Sequence, residues 1–272
     1  MSNSTAIKHN LEHVSVGRPI SRHHISLFPV YFHGPQVHIP TGPQTGVIIG
    51  EKASAEVPTL EAENPTNQPV LLVDGEVVTG GRQTRVLNVS VLVTPHGRLD
   101  IPVSCVEQGR WHGGHQFGRG GMFATRRVRR AKNATVAADV VRSGMKRTDQ
   151  GMVWATVRGE LDRLDVHDAS GTLEAATQRL KDGEELAAAA DELRRLGPLP
   201  GQCGVVITHG SRVVSAEVFS SPEMLAAHWA AIVDAAILDA PAQQPTSRPS
   251  ASKVLRFLHR FTQAEATVSP DG

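Results

Sequence analysis

Between residues 70 and 111 the chain runs in short apolar stretches broken by Asp-Gly, Gly-Gly and a Pro-containing turn, and that punctuation leaves room for little except antiparallel hairpins. Residues 69–73 and 76–79 flank Asp74-Gly75, a dipeptide suited to a two-residue turn, so a tight hairpin is predicted there. Gly80-Gly81 marks a bulge or corner. After it, residues 83–94 and 99–106 form a longer hairpin whose loop sits at 95–98. Upstream, ISLFPVYF from Ile25, GVIIGEKA from Gly46 and VPTLEAEN from Val57 read as further strands.

The second half changes period. Residues 111–121 are rich in Gly and His and read as a mobile loop. Asn133 is positioned to cap a helix carrying Val136, Val140 and Val141 on one face, and helix resumes at Met152. The Ala- and Glu-rich residues 173–196 predict a solvated helix or helix pair. A second hairpin turns near His209-Gly210, and Ser221-Pro222-Glu223 starts a helix that buries Leu225, Trp229, Ile232, Val233, Ala236 and Ile237. The expected fold is α+β: an antiparallel β-sheet core, a meander of hairpins, followed by packed helices and a second β-hairpin. Residues 1–12 read as a flexible N-terminus, 13–240 as a single domain, 241–252 as a Pro- and Ser-rich linker, and 253–272 as a loosely attached short helix and tail.

Composition narrows the function classes. Aromatic residues make up only 4% of the chain, so the core has to come from Val, Leu, Ile and Ala, and the few aromatics are too sparse for a stacking nucleic-acid surface. The formal net charge is +1, yet residues 108–147 hold ten Lys and Arg against Asp139 alone, with compensating acid in 159–195, so these two regions are expected to meet. Cys105 and Cys203 suit a reducing compartment, the N-terminus lacks the order of a signal peptide, and the longest apolar helix is interrupted by Asp234. A cytoplasmic protein without a membrane partner is expected.

Strand parity places the chemistry. Gln83 and Arg85 share a face with Leu87, while Ile101, Val103 and Cys105 share one with Glu107. Folding the hairpin at 95–98 puts Arg85 opposite or diagonal to Glu107 and Leu87 near Cys105. Such a cluster can act as an internal staple or as a site, with Glu107 tuned for acid–base duty, Cys105 as a thiol beside an arginine and Glu76 as a further carboxylate. Gln83, Arg85, Arg110, Trp111 and Arg119 are the candidate ligand-binding residues. The Gly-rich loop around Arg119, with Arg126 and Arg127, has the make-up of a phosphate cradle. His112 and His115 lack a placed third ligand, so no metal site is assigned, and no cofactor is indicated.

The run DGEVVTGGRQTRVLNVSVLV followed by IPVSCVEQGRW resembles the family associated with ADP-ribosylglycohydrolases and rhodanese-phosphatases, with Gly75, Glu76, Gly80, Gln83, Arg85, Asn88, Cys105, Glu107, Gly109, Arg110 and Trp111 at the matching positions. The later GVVITHGSRVVSAEVF hairpin and the Trp229 helix extend the resemblance over most of residues 15–240. Gly81-Arg82 stands where the family pattern has Ala-Lys, which keeps a basic group and frees the backbone. The resemblance implies binding or hydrolytic processing of an NAD-derived nucleotide such as ADP-ribose. Its implied partners are a nucleotide-like small molecule and enzymes that process ADP-ribose, with a homo-oligomer also considered. The rival expectation is a non-enzymatic assembly or adaptor module in which Arg85 and Glu107 form a structural ion pair.

Overall fold

A computed structural model describes residues 11–263; the first ten residues of the expected N-terminal segment and the end of the tail, 264–272, lie outside the described residues. The chain forms an α+β protein with antiparallel sheets and divides into two compact units, where the sequence reading draws one domain over 13–240. One unit draws on Met1–His38 together with Ala188–Gly272, and the other is Ile39–Ala187. Each unit has its own apolar cluster.

The first unit opens with β1 (Val14–Val16), β2 (Ile20–Arg22) and β3 (Ile25–Phe32). β3 is the run ISLFPVYF read from the sequence, and it is buried over its first six residues because it has strands on both sides. Pro29, which has no N–H to give a ladder, falls between the stretch that pairs with β2 and the stretch that pairs with β1.

The second unit carries β4 (Ile48–Gly50), β5 (Thr59–Glu63), β6 (Val70–Leu72), β7 (Glu76–Gly80), β8 (Arg85–Leu87), β9 (Val91–Val93), β10 (Arg98–Cys105) and β11 (Gln116–Phe123). Six of these close into an antiparallel barrel in the order β10-β5-β4-β11-β7-β8, while β6 and β9 pair separately. Two sequence expectations change here. The tight hairpin over 69–79 does not form: Asp74-Gly75 makes a turn, closed by Glu76 N–H donating to Val73 O at 3.1 Å, that delivers the chain from the small sheet into the barrel. The Gly-rich stretch 111–121 is not a free loop in its second half, because Gln116–Phe123 closes the barrel between β4 and β7 with a register shift between Arg119 and Met122.

Inward-facing Ile49, Leu60, Ala62, Val78, Leu87, Ile101, Val103 and Phe117 fill the barrel. A six-stranded interior is narrow enough for aliphatic side chains to close it, which suits so aromatic-poor a chain.

Two helices follow, α1 (Arg126–Ser143) and α2 (Gln150–Arg163). The first starts seven residues before the expected cap, so Asn133 lies mid-helix, and Val141 is exposed instead of lining the buried face. Gly144 ends α1 in the left-handed conformation, φ +73°, and Asp149 caps α2 by accepting from Met152 N at 3.0 Å. The basic and acidic regions do meet, through Arg127 of α1 and Glu160 of α2 at 3.6 Å. A 3₁₀ turn (Leu173–Thr177) leads to α3 (Gln178–Asp182) and α4 (Glu184–Leu196).

The chain then returns to the first unit with β12 (Gly204–His209), β13 (Arg212–Val218), α5 (Pro222–Leu238) and α6 (Ala251–Phe261). The expected hairpin and helix appear as read: Ser221 caps α5, and Leu225, Trp229, Ile232, Val233, Ala236 and Ile237 are all buried. The C-terminal helix is not loose. Val254 and Leu258 of α6 are buried with Phe28, Val30 and Val206. No helix among the described residues is long and apolar enough to cross a membrane.

Candidate functional site at the barrel mouth

Antiparallel pairing gathers the ends of β4, β7 and β10 and the starts of β8 and β11 at one mouth of the barrel. Gln83, Arg85, Cys105 and Glu107 meet there, as strand parity requires. The pairing register is Cys105 opposite Arg85 and Val103 opposite Leu87. Of the two expected arrangements this is the diagonal one, with Glu107 two residues beyond the partner of Arg85, and β9 leaves the hairpin to pair with β6.

The cluster is sealed: Arg85, Cys105, Glu107 and Gln83 are 0%, 0%, 3% and 4% exposed. Gln83 ties it together, donating from Nε2 to Glu107 O at 2.8 Å and accepting at Oε1 from Arg85 Nη1 at 2.9 Å and Cys105 Sγ at 3.2 Å. The expected Arg85–Glu107 ion pair does not form. Past Cys105 the strand ends and the chain curls, with Gly109 N–H donating to Ser170 O at 2.7 Å. A side chain at Gly109 would meet the backbone of Ser170 at 2.9 Å, so the curl needs glycine. That turn brings Arg110, three residues on, against Glu107. Arg110 donates from Nε to Oε1 at 2.8 Å and from Nη2 to Oε2 at 2.7 Å. Thr84 adds its N–H at 2.8 Å and its hydroxyl at 2.9 Å to Oε2.

These contacts decide the chemistry. Burial pushes the Glu107 carboxyl up, but Arg110, the Thr84 N–H, Ser170 and the Thr84 hydroxyl together outweigh it and hold the group at about 2. A carboxyl held this low is ionised near neutrality and poorly matched to general acid–base duty there. Cys105 moves the opposite way: burial raises its thiol above the usual range, against the pull of the Arg85 charge, so the thiolate needed for attack is suppressed.

The two arginines differ in a way the sequence does not reveal. Arg110 is saturated: besides Glu107 it donates to Gly81 O at 2.9 Å, His112 O at 2.8 Å and Gly80 O at 3.4 Å, and so acts as a staple between the 80–81 corner and the 107–112 loop. Arg85 is fully buried, yet only Nη1 is bonded; its Nε and Nη2 have no hydrogen-bond partner among the described residues. Burial lowers the Arg85 pKa, with the nearby Cys105, Glu51 and Glu107 acting to raise it and Arg110 to lower it.

Trp111, 47% exposed, lies at this mouth with the Arg82 and Arg85 guanidinium carbons each 5.8 Å from its ring centroid. Glu51, just after β4, accepts the Arg82 N–H at 3.1 Å through Oε1, and its Oε2 is buried without a hydrogen-bond partner among the described residues. Neither Glu51 nor Arg82 was singled out as a site residue from the sequence. Glu51 is 34 positions from Arg85 and only barrel closure joins them, whereas Arg82 was visible as the basic residue after Gly81. Gly81 is not merely free backbone: its φ is +53°, and a Cβ there would lie 2.1 Å from the Phe117 ring.

Other sequence candidates fall elsewhere. Glu76, at the far end of β7, accepts from Arg119 Nη2 at 2.7 Å and Nε at 3.2 Å, and Arg119 Nη1 donates to Thr45 Oγ1 at 2.7 Å. Both side chains are buried, so Arg119 serves this pair and not the proposed phosphate cradle. Burial raises the Glu76 pKa against Arg119. His112 and His115 are exposed, and no group of three His, Cys, Asp or Glu able to hold a metal occurs among the described residues. Asp74, read as a turn residue, also receives the fully buried Lys132, which donates to Asn88 O at 2.7 Å as well and pins α1 to the barrel. A cleft of about 580 Å³, lined by Gln108, Trp154, Arg158, Asp162, His167 and Ser170 among others, lies beside the 107–109 curl.

The class is therefore an α+β protein with a closed six-stranded barrel whose mouth is locked by a Glu–Arg–Gln network around an incompletely bonded arginine. The chain belongs to the family described as the ARG and Rhodanese-Phosphatase-superfamily-associated Protein domain, whose model matches residues 13–271. No curated protein and no solved structure matches it.

Proposed function

We propose that the protein binds an NAD-derived nucleotide of the ADP-ribose type at the barrel mouth and does not hydrolyse it with Glu107. Reading the family's ARG as ADP-ribosylglycohydrolase supplies the nucleotide context. The observation that carries the binding reading is Arg85: a buried guanidinium with two of its three nitrogens unbonded is expensive, and a residue serving only as a staple would be saturated as Arg110 is. The half-exposed indole of Trp111 offers a planar face for a base, and Arg82 beside it offers a cation for phosphate. Against hydrolysis stand the acidity of Glu107 and the raised thiol of Cys105.

The test is isothermal titration of the full chain with ADP-ribose, NAD and AMP. Saturable binding by the wild type, weakened about tenfold or more in Trp111→Ala and in Arg85→Lys, supports the reading. Binding that survives both substitutions and is lost in Arg158→Ala would move the site to the cleft beside the 107–109 curl.

A further inference from the structure

The charge at the inner end of the mouth is not simply positive. Glu51 is held there from two sides, its N–H donating to His115 O at 2.8 Å and its Oε1 accepting from Arg82 N at 3.1 Å. Its second oxygen points into the protein unbonded, and the carboxylate acts electrostatically on Arg85, whose Nε and Nη2 are likewise unbonded. A buried acceptor and two buried donors are thus left open at one barrel end, Glu51 following β4 and Arg85 opening β8 three strands away around the closure, with Trp111 over Arg85. A phosphate placed against Arg85 would meet the Glu51 carboxylate, and two anions desolvated together repel strongly.

Resting on the nucleotide reading above, we infer that the inner end of the mouth, between Arg85 and Glu51, recognises a neutral group that both accepts and donates hydrogen bonds: a sugar diol or a primary carboxamide. Its oxygen accepts from Arg85 Nε and Nη2, and its O–H or N–H donates to Glu51 Oε2. Sites built to bond such a group reject analogues that lack it, because their own polar atoms are then stranded. Phosphates stay outside, at Arg82. Arg85 has no solvent contact while the indole lies over it, so entry requires the Trp111 side chain to turn aside.

The sign of one substitution tests this. Glu51→Gln keeps the Oε1 acceptor for Arg82 and the side-chain shape but removes the charge. If a hydroxyl donates to Glu51, the Kd of ADP-ribose should rise about tenfold or more, and if an amide does, that of NAD, whose nicotinamide carries the carboxamide, should rise likewise. If an anion sits there, the Kd should fall, because a repelling carboxylate has gone. A Kd unchanged or lowered for both ligands overturns the inference while leaving the nucleotide reading intact; absence of binding of either ligand to the wild type overturns both. Competition on the unmutated protein needs no variant to fold. Displacement of ADP-ribose by ribose points to a diol and displacement of NAD by nicotinamide to a carboxamide, whereas inorganic phosphate displacing either ligand better than these overturns the neutral-group assignment.

Discussion

Replacing Glu107 by Gln separates a structural carboxylate from a catalytic one. The substitution keeps the shape and removes the charge that Arg110 grips at 2.8 and 2.7 Å and Thr84 at 2.8 and 2.9 Å. A carboxyl held at about 2 instead of 4.5 corresponds to roughly 3 kcal/mol of stability near neutral pH. The direction follows from the depressed value: the contribution is complete above the unfolded pKa of 4.5 and is lost as pH falls through about 2. Urea denaturation of wild type and Glu107→Gln should therefore show a gap of roughly 3 kcal/mol at pH 7, shrinking to about half at pH 3. A variant as stable as the wild type at pH 7, or a gap that does not change down to pH 3, would refute the staple. So would a hydrolytic activity present in the wild type and lost in an equally stable variant.

Arg119→Ala should cost about 3–5 kcal/mol in the same assay, since it removes the cation paired with the buried Glu76 carboxylate at the far end of the barrel, and Glu76→Leu combined with Arg119→Met should recover most of it. Gly81→Ala should destabilise the second unit by about 1–3 kcal/mol, because its Cβ would sit 2.1 Å from the Phe117 ring at φ +53°; a neutral effect by thermal melting would mean that Phe117 moves freely. Cys105 should resist a thiol-reactive disulfide reagent in the native protein at pH 7 and react promptly in urea, as burial both hides it and raises its pKa. Fast native labelling of Cys105, read by peptide mass, would contradict this.

Much of the site was legible from strand parity alone. The alternation of Gln83, Arg85 and Leu87 against Val103, Cys105 and Glu107 put four polar groups at one end of an apolar face, and the barrel mouth is that end. What parity cannot supply is the register, because nothing in VLNVSVLV announces that β9 departs for β6 and shortens the hairpin. Nor could it choose the partner of Glu107. That depends on a curl at Gly109 made beyond the last strand residue, where Arg110 sits three positions away and out-competes Arg85 for the carboxylate. Barrel closure was hidden for a related reason: β11 holds Gly118, Gly120 and Gly121, which weaken any local strand signal, and its order comes from pairing with β4 and β7. The second hairpin and the helix after it were legible because cap and periodicity are local, as at Ser221, whereas the first helix starts seven residues before the Asn133 cap read from the sequence. Glu51 was invisible, being joined to Arg85 only by the closed sheet.

The most direct measurement is the arginine Nε–H region of a proton–nitrogen NMR correlation spectrum of the full chain during titration with ADP-ribose, the Arg85 resonance being assigned by its loss in Arg85→Lys. If the open donors of Arg85 belong to a ligand, its Nε–H resonance should shift saturably with the same Kd that calorimetry gives, while that of Arg110, already bonded to Glu107, stays nearly still. An Arg85 resonance that does not move, whether ADP-ribose binds elsewhere or not at all, would contradict the assignment of the barrel mouth as the nucleotide site.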